Sequence, residues 1–555
     1  MVLACQVLVF KGLIDRSPPR LTEKKQILKS TSVITLATLL SRLLGYIRDQ
    51  RIALLLGTSV LSDSFFLAFR IPNLLRRLVA EGSMSASFVP VFSSYQVEQT
   101  HEEIWDFANR LFWTLAVILA IVTVLGVIFA PTIIHLFTMM SDNPAAWTGA
   151  IQLNRIIFPF VFFIGLSALC MAILNCYHVF ALPAATPAVS NLGMIIFSTA
   201  VVWKHFDSPA EALAVGVVVG GMLQFLVQLP QLVRRGMTFK FGVSLSHPGI
   251  RKVARLMLPG VFGLGVAQLN VYVDTIFLTS RRMPNGSVTS LYFADRIMQL
   301  VLGSFAVAVA TAILPMMSRQ AKLLDFDAVK RTLGFSVRIV SFITIPAAIG
   351  IVLLRQPIVR VLFQHGRFVA ESTQLTAWVL GFYAMGLPAI SAVKLIVQAF
   401  YSTRDTKTPV WTAAGVLALN VVLNIFFVIL FFSQLRNGGP ALATVIAAYA
   451  NCAVLFVIFR RRYGRIGGKE IIVSSGKALA ASAVMGAACW MVVQYAHLGE
   501  HVLLSVDAAL LAATIAGASA VYLGLTWMFR SVELKEVYEI VFHRQVAADI
   551  SGGAV

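Results

Sequence analysis

Long, uninterrupted apolar runs constrain the fold of this chain more than any other feature of its sequence. Examples are LAVILAIVTVLGVIFA, IIFPFVFFIGLSALCMAIL and VVLNIFFVILFF. A helix that crosses a bilayer needs roughly 20 mostly apolar residues. The strands of an outer-membrane barrel would instead show short segments of alternating hydrophobicity. The runs therefore predict an all-α polytopic membrane protein.

The charged residues agree with this fold class. They make up only 13% of the chain, whereas soluble domains carry about a quarter. The formal net charge is +20, and in membrane proteins Lys and Arg collect in the cytoplasmic loops. We therefore attribute the positive charge to membrane topology, and we expect no nucleic-acid partner.

Hydropathy predicts about fourteen transmembrane helices. Their approximate limits are 30–57, 60–94, 107–130, 150–175, 184–204, 211–233, 252–280, 288–318, 332–355, 371–401, 409–433, 439–459, 472–495 and 503–529. The N-terminal segment is basic, so it should be cytoplasmic. Alternation then places the basic loops QLVRRGMTFKF, STRDTKTP and RRRYGRIGGK on the inside as well. The pattern predicts that both termini are cytoplasmic.

Two connectors disagree with this topology. TSRRMPN (279–285) carries two arginines on the predicted outer side. The segment RQPIVRVLFQHGRF carries three arginines on the predicted outer side. We interpret it as a short amphipathic helix on the membrane surface.

Short motifs recur at a constant distance along the chain. AFRI at 68–71 matches ADRI at 294–297, and APTIIHLF at 130–137 matches QPIVRVLF at 356–363. The shared offset of about 223–226 residues indicates two related six-helix halves, followed by two extra helices. A duplicated bundle with a site between its halves is the layout of alternating-access transporters.

These observations predict a linear organisation of seven segments. They are a basic cytoplasmic N-terminal extension (1–29), an N-terminal six-helix half (30–233), a basic cytoplasmic linker (234–251), a C-terminal six-helix half (252–459), a basic cytoplasmic loop (460–471), two additional transmembrane helices (472–529) and a cytoplasmic tail (530–555).

Arginines inside the predicted spans indicate a binding site. A charge near the bilayer centre costs about 2.5–3.5 kcal/mol on insertion scales, so such residues usually face a bundle interior or a wet cavity. Arg42 and Arg48 lie in the first span, Arg76 in the second and Arg296 in the eighth. The planar fork of arginine suits phosphate. The four residues therefore predict a site for an anionic ligand, and a pyrophosphate is a natural candidate.

Other charged residues share these spans: Asp49, Arg70, Arg77, Glu81 and Asp295. We interpret Asp49 as an orienting partner of an arginine rather than as a ligand contact. Arg77 and Glu81 are expected to pair with each other or to extend to the membrane interface. Asp49, Arg77, Glu81 and Asp295 are therefore assigned secondary, orienting roles.

A second polar group lies in the C-terminal half. Asn420 and Asn424 are one turn apart on the eleventh span, and Asp274 lies on the seventh. One carboxylate with amide oxygens suits a small hard cation. Hydrogen bonding between helices is the alternative that we favour.

Two glycine-rich motifs lie within predicted spans. GVVVGG (216–221) and GVFGLG (260–265) are interpreted as faces for close helix packing, since small residues let helix backbones approach each other. The sequence contains no HExxH, Walker A or GxSxG motif and no metal-ligand spacing. We therefore expect no catalytic residue, no cofactor and no enzyme activity.

Three stretches resemble the MurJ/MviN lipid II flippases of the MOP transporter superfamily. They are SRLLGYIRD, DSFFLAFRIPNLLRRLVAEGSMSASFVPVF and YFADRIMQLVLGSFAVAVATAILPMMSR. The likeness of layout extends over nearly the whole chain. It implies transport of the undecaprenyl-pyrophosphate-linked peptidoglycan precursor from the cytoplasmic to the periplasmic leaflet of the bacterial inner membrane. Peptidoglycan biosynthesis, cell wall biogenesis and cell shape would depend on that step.

The resemblance also implies roles for individual residues. The central-cavity arginines of the family correspond to Arg42, Arg48, Arg76 and Arg296, and Asp63 matches a family aspartate that opens the second span. The last two helices would form a groove for the lipid tail.

Two departures from the family bear on energy coupling. Gln299 stands where some relatives have an acidic residue. Asn424 stands where some relatives have a sodium-site aspartate, with Asp274, Asn420 and Thr444 as the remaining candidate ligands. Coupling to Na⁺, coupling to H⁺ and drive by the membrane potential alone therefore stay open.

Three alternatives compete with a lipid II flippase. The first is another MOP-superfamily exporter, either a polysaccharide-precursor flippase or a cation-coupled multidrug antiporter. The second is a membrane enzyme acting on polyprenyl phosphates, and the third is a membrane scaffold. The expected partners are lipid II, the lipid bilayer, and the machinery of cell-wall synthesis or division.

Overall fold

A computed structural model describes residues 21–78, 84–141, 147–499, 501 and 503–536. Side chains are described from Leu36 onward within those ranges, except at 85–86, 259–264, 266–267 and 304. Glu81, to which we assigned an orienting role, lies outside the described residues. So do the first 20 residues and the end of the predicted tail.

Helices are the only regular secondary structure in the described part of the chain. Its α-helices are α1 (Leu21–Leu56), α2 (Val60–Leu78), α3 (Met84–Glu98), α4 (His101–Ile128), α5 (Ala130–Phe137), α6 (Thr148–Ile157), α7 (Phe160–Cys176), α8 (Ala181–Phe197), α9 (Ala200–Trp203), α10 (Pro209–Leu226), α11 (Leu229–Arg235), α12 (Pro248–Leu278), α13 (Ser287–Val301), α14 (Val307–Lys322), α15 (Phe326–Phe363), α16 (Ala370–Met385), α17 (Leu387–Ser402), α18 (Lys407–Leu430), α19 (Phe432–Leu435), α20 (Gly439–Tyr463), α21 (Gly468–Tyr495) and α22 (Leu504–Met528). A π-helical turn, Leu302–Ala306, joins α13 to α14.

Each of the fourteen predicted spans coincides with a helix or with consecutive helices. Among the described residues, eight helices are long and apolar enough to cross a membrane, and α16 and α17 form a ninth candidate bent by 47°. The remaining predicted spans are helices that carry charges, such as α2, or that are short, such as α8. The predicted all-α membrane fold is confirmed.

The described residues form two compact units. The N-terminal unit comprises the described residues up to Thr289 together with His365–Val369, and the C-terminal unit comprises Ser290–Gln364 and the described residues from Ala370 onward. In the N-terminal unit α8 packs against α1 and α10, and α7 packs against α3 and α4. In the C-terminal unit α15 packs against α16, α17, α21 and α22. The division of the sequence into repeats at 234–251 stays a prediction.

The motif GVVVGG allows α10 to approach α8 closely. A methyl group on Gly220 would lie 2.5 Å from the carbonyl oxygen of Ser190, and one on Gly193 would lie 2.7 Å from the Cα of Gly220. Real Cβ atoms do not tolerate backbone contacts this short, so neither position admits a side chain without separating the helices. The packing interpretation is confirmed for this motif. The second motif, GVFGLG, lies mostly among residues whose side chains are not described.

We expect the substitution Gly220→Leu to destabilise the N-terminal unit. The leucine side chain would collide with backbone atoms of α8, and overpacking of this kind costs about 1–3 kcal/mol. The melting temperature of the purified protein in detergent measures the effect. Gly517→Leu on α22 is the matched control, because a Cβ there meets no atom within 4 Å. An equal loss of melting temperature in both variants would contradict the packing assignment.

The predicted surface helix at 356–363 is wrong. These residues continue α15, which ends only at Phe363. Arg360 lies with its Nε 3.2 Å from Oδ2 of the fully buried Asp507. It also donates hydrogen bonds to the backbone carbonyls of Gly499 and His501. Arg360, one of the three arginines of this segment, therefore links α15 to the start of α22 inside the C-terminal unit.

Candidate substrate-binding site

Protein groups on two helices hold the Arg48 side chain. Its Nε and Nη2 donate to Oδ1 of Asp49 at 3.0 and 2.7 Å, and its Nη1 donates to Oδ1 of Asn191 on α8 at 2.8 Å. Asn191 in turn donates to the carbonyl oxygen of Ser41 at 3.1 Å, which fixes the orientation of its amide. The Arg48 side chain is 16% exposed. It is therefore both accessible and oriented in advance.

Asn191 is a residue that the sequence analysis missed. It is 143 residues from Arg48, and its only sequence signal is a single amide within the apolar stretch PAVSNLGMIIF. Arg51 adds a second link between the same helices, since its Nη2 donates to the carbonyl oxygen of Ser198 at 3.0 Å. Asp49 makes the contact that its predicted orienting role requires, and the role itself stays a prediction.

Three other arginines that the sequence analysis singled out lie in the N-terminal unit. Arg42 is exposed and makes no hydrogen bond or ion pair within the described residues. Arg76 donates from Nε to Oδ1 of Asn73 at 3.0 Å. Arg77 donates from Nη1 to Oε1 of Gln268 on α12 at 2.8 Å. Substrate binding by Arg42 and Arg76 stays a prediction, as does the orienting role of Arg77.

Asp63 is saturated by protein donors. Its Oδ2 accepts from the backbone N–H of Gly286 at 2.7 Å, and its Oδ1 accepts from the N–H and the hydroxyl of Thr289 at 2.8 and 2.7 Å. The residue is only 4% exposed. These bonds join the start of α2 to the start of α13. The geometry favours a positioning role, and the substrate contact predicted at Asp63 stays a prediction.

Arg296 and Asp295 lie on α13 in the C-terminal unit, and both are partly buried. Asp295 accepts from Nε2 of Gln299 at 2.6 Å, so the glutamine that departs from the family pattern contacts the neighbour of the predicted cavity arginine. The substrate contact of Arg296 and the orienting role of Asp295 stay predictions.

Three residues of the candidate cation site lie together in the C-terminal unit. Nδ2 of Asn420 on α18 donates to the hydroxyl of Thr444 on α20 at 3.1 Å, and Nδ2 of Asn424 donates to Oδ1 of Asn420 at 3.1 Å. The hydrogen bond between helices that we favoured is therefore present. Asp274 is fully buried in the N-terminal unit. Cation binding stays a prediction.

Metal ligation by acidic, histidine or cysteine clusters finds no support in the described part of the chain. Within those residues no group of three or more His, Cys, Asp or Glu side chains is placed to hold a metal ion.

Comparisons with known proteins give a consistent result. The family described as Lipid II flippase MurJ matches residues 52–507. A relative from Vibrio cholerae serotype O1, named a probable lipid II flippase MurJ, is 36% identical over 446 residues, which cover 78% of this chain and 83% of the relative.

Two solved structures extend the comparison. The structure of a lipid II flippase MurJ in an inward closed conformation aligns with a TM-score of 0.73 at 26% identity, covering 89% of this chain and 98% of the other. An inward-facing multidrug resistance MATE transporter of the MOP superfamily aligns with a TM-score of 0.65 at 15% identity, covering 83% and 98%. The second likeness concerns the fold alone. On the family match and the identity to its relative, this chain belongs to the MurJ lipid II flippase family.

Proposed function

We propose that this protein moves lipid II from the cytoplasmic to the periplasmic leaflet of the bacterial inner membrane. The observation that carries the proposal is Arg48, which Asp49 and Asn191 hold in a fixed orientation within an apolar helical bundle. The membership of this chain in the MurJ lipid II flippase family supports the same substrate. The protein is a multi-pass membrane protein of this family, and we place both of its termini in the cytoplasm because the inner loops are basic.

Recognition rests on the charge of the headgroup. Arg42, Arg48 and Arg76 of the N-terminal half and Arg296 of the C-terminal half bind the pyrophosphate, and the apolar tail stays in the bilayer. Hydrogen bonds to a charged group contribute about 1.5–3 kcal/mol each. A few arginines are therefore enough to discriminate an anionic lipid from the neutral lipids around it.

Transport proceeds by alternating access between the two sequence-related halves. Movement of a positively charged site across the membrane potential involves about 2.3 kcal/mol per charge per 100 mV, which offers a way to reset the empty carrier. A cation held by Asp274, Asn420, Asn424 and Thr444 is the alternative means of coupling, with Na⁺ or H⁺ as the ion. The helix pair α21 and α22 provides the groove for the lipid tail. Cell-wall synthesis or division machinery is the expected protein partner.

The arginines argue against a carrier for cationic drugs. Such an antiporter needs an acidic cavity, whereas the charged residues singled out here are mostly arginines. The likeness to a multidrug transporter is therefore a likeness of fold. We propose transport without a chemical step, as in the family to which the chain belongs.

Depletion of the protein in its native cell tests this function. We expect the fraction of lipid II that is accessible from the periplasm to fall on depletion and to recover on re-expression. Re-expression of Arg110→Ala should restore it equally, because Arg110 is an exposed residue paired with Asp106 away from the proposed site. Unchanged accessibility after depletion, in a strain without a second flippase, would contradict the proposal.

A further inference from the structure

Two arginines on α2 present buried donors for which the described residues supply no acceptor. Nε and Nη2 of Arg70 are shielded from solvent and make no hydrogen bond. Nε of Arg77 is likewise shielded from solvent and has no acceptor among the described residues, although Nη1 of Arg77 donates to Gln268. Neither arginine forms an ion pair within the described residues. Arg70 belongs to none of the contacts proposed above.

Leaving these buried donors without an acceptor costs free energy. Arginine stays charged in proteins, and a buried charged group without its partner is strongly destabilising. Two polar groups of α12 are already engaged: the Tyr272 hydroxyl donates to the carbonyl oxygen of Arg70 at 2.8 Å, and Oε1 of Gln268 accepts from Arg77. The cost indicates that an acceptor from outside the protein meets these donors.

The positions of the two arginines suit a shared ligand. They are seven residues apart, close to two helical turns, and so lie near one face of α2. Tyr272 on α12 interacts electrostatically with both of them and with Arg76. Each of the two arginines is only partly buried as a residue, although the donors named above are shielded. The region between α2 and α12 therefore concentrates positive charge next to Arg76, one of the arginines in the proposed substrate site.

We propose that Arg70, with Arg77, binds a second oxyanion of the transported lipid headgroup, either a phosphate or a carboxylate. The inference rests on the proposed function and adds a contact to it. The oxyanion supplies acceptors for the three unsatisfied donors, and its charge offsets two arginines that the described protein leaves without a carboxylate. Bound substrate therefore stabilises this part of α2.

Binding measurements on the purified full-length protein test the contact. The probes are undecaprenyl pyrophosphate, which carries only phosphate, and lipid II, which also carries the peptide carboxylates. We expect Arg70→Gln to weaken binding by about ten- to a hundredfold, the effect of losing a charged hydrogen bond. A loss with both probes identifies a phosphate contact, and a loss with lipid II alone identifies a carboxylate contact. Arg110→Gln, a change at an exposed arginine, is the control.

The melting temperature without ligand separates a binding role from a structural one. Since the described residues supply no acceptor for the buried Arg70 donors, Arg70→Gln should leave the melting temperature unchanged or raise it. A lower melting temperature with unchanged binding would overturn the inference, as would wild-type affinity for both probes. If wild-type protein binds neither probe, the proposed function fails as well, so the two failures are distinguishable.

Discussion

Replacing Arg48 by alanine is expected to abolish lipid II transport. The change removes the guanidinium group that we propose to bind the pyrophosphate. It also leaves Asp49, which is only 3% exposed, without the arginine that neutralises it. Loss of one charged contact to a phosphate weakens binding by about ten- to a hundredfold, and loss of the ion pair with Arg48 destabilises the buried carboxylate of Asp49. Complementation of a depleted strain and lipid II accessibility from the periplasm measure the result.

Two further variants separate charge from geometry at this position. Arg48→Lys keeps the charge, but a single ammonium group cannot reproduce the fork that contacts Asp49 and Asn191. We expect it to retain less transport than wild type and more than Arg48→Ala. Asn191→Leu leaves the guanidinium present but removes its fixed orientation, so a partial defect is expected. Full complementation by Arg48→Ala at wild-type expression would exclude this residue from the site.

Asp63→Ala is expected to produce the largest loss of stability among the variants considered. It withdraws the only acceptor that the described residues give to two buried backbone donors, the N–H groups of Gly286 and Thr289. The Thr289 hydroxyl keeps a second acceptor, the hydroxyl of Ser62 at 2.9 Å. Each buried donor left without an acceptor costs about 1–3 kcal/mol, so the total reaches at least about 2 kcal/mol. We expect low yield and a strongly reduced melting temperature in detergent.

The matched control is Thr289→Val, which removes only the hydroxyl and leaves the backbone N–H bonded to Asp63. Its cost should be near the net value of one hydrogen bond, about 0.5–1.5 kcal/mol. If Asp63 instead contacts substrate, Asp63→Ala would lose transport while keeping the melting temperature of wild type. The two measurements together thus decide between the positioning role and the predicted substrate contact.

The sequence predicts the fold class well because the hydropathy of a single segment is enough to identify a transmembrane helix. An apolar run long enough to cross a bilayer leaves few alternatives to a helix, since a backbone in lipid must satisfy its own hydrogen bonds. The same dependence on a single segment explains the wrong prediction at 356–363. Hydropathy registers the charge of Arg360, but it does not register Asp507, its partner 147 residues later (507 − 360). Hydropathy therefore predicts a surface position for Arg360, although Asp507 neutralises its charge inside the protein.

For the candidate site too, some features follow from the sequence and others only from the tertiary structure. The sequence alone determined that this chain is an α-helical membrane protein with arginines inside its spans, because composition and hydropathy are read residue by residue. The tertiary structure decided which groups hold those arginines: Asn191 orients Arg48, Gln268 meets Arg77, and Arg70 keeps two donors without an acceptor. It also decided that the Asp63 carboxylate is occupied by Gly286 and Thr289, 223 and 226 residues away. Such partners are set by the packing of distant helices, which a local pattern does not contain.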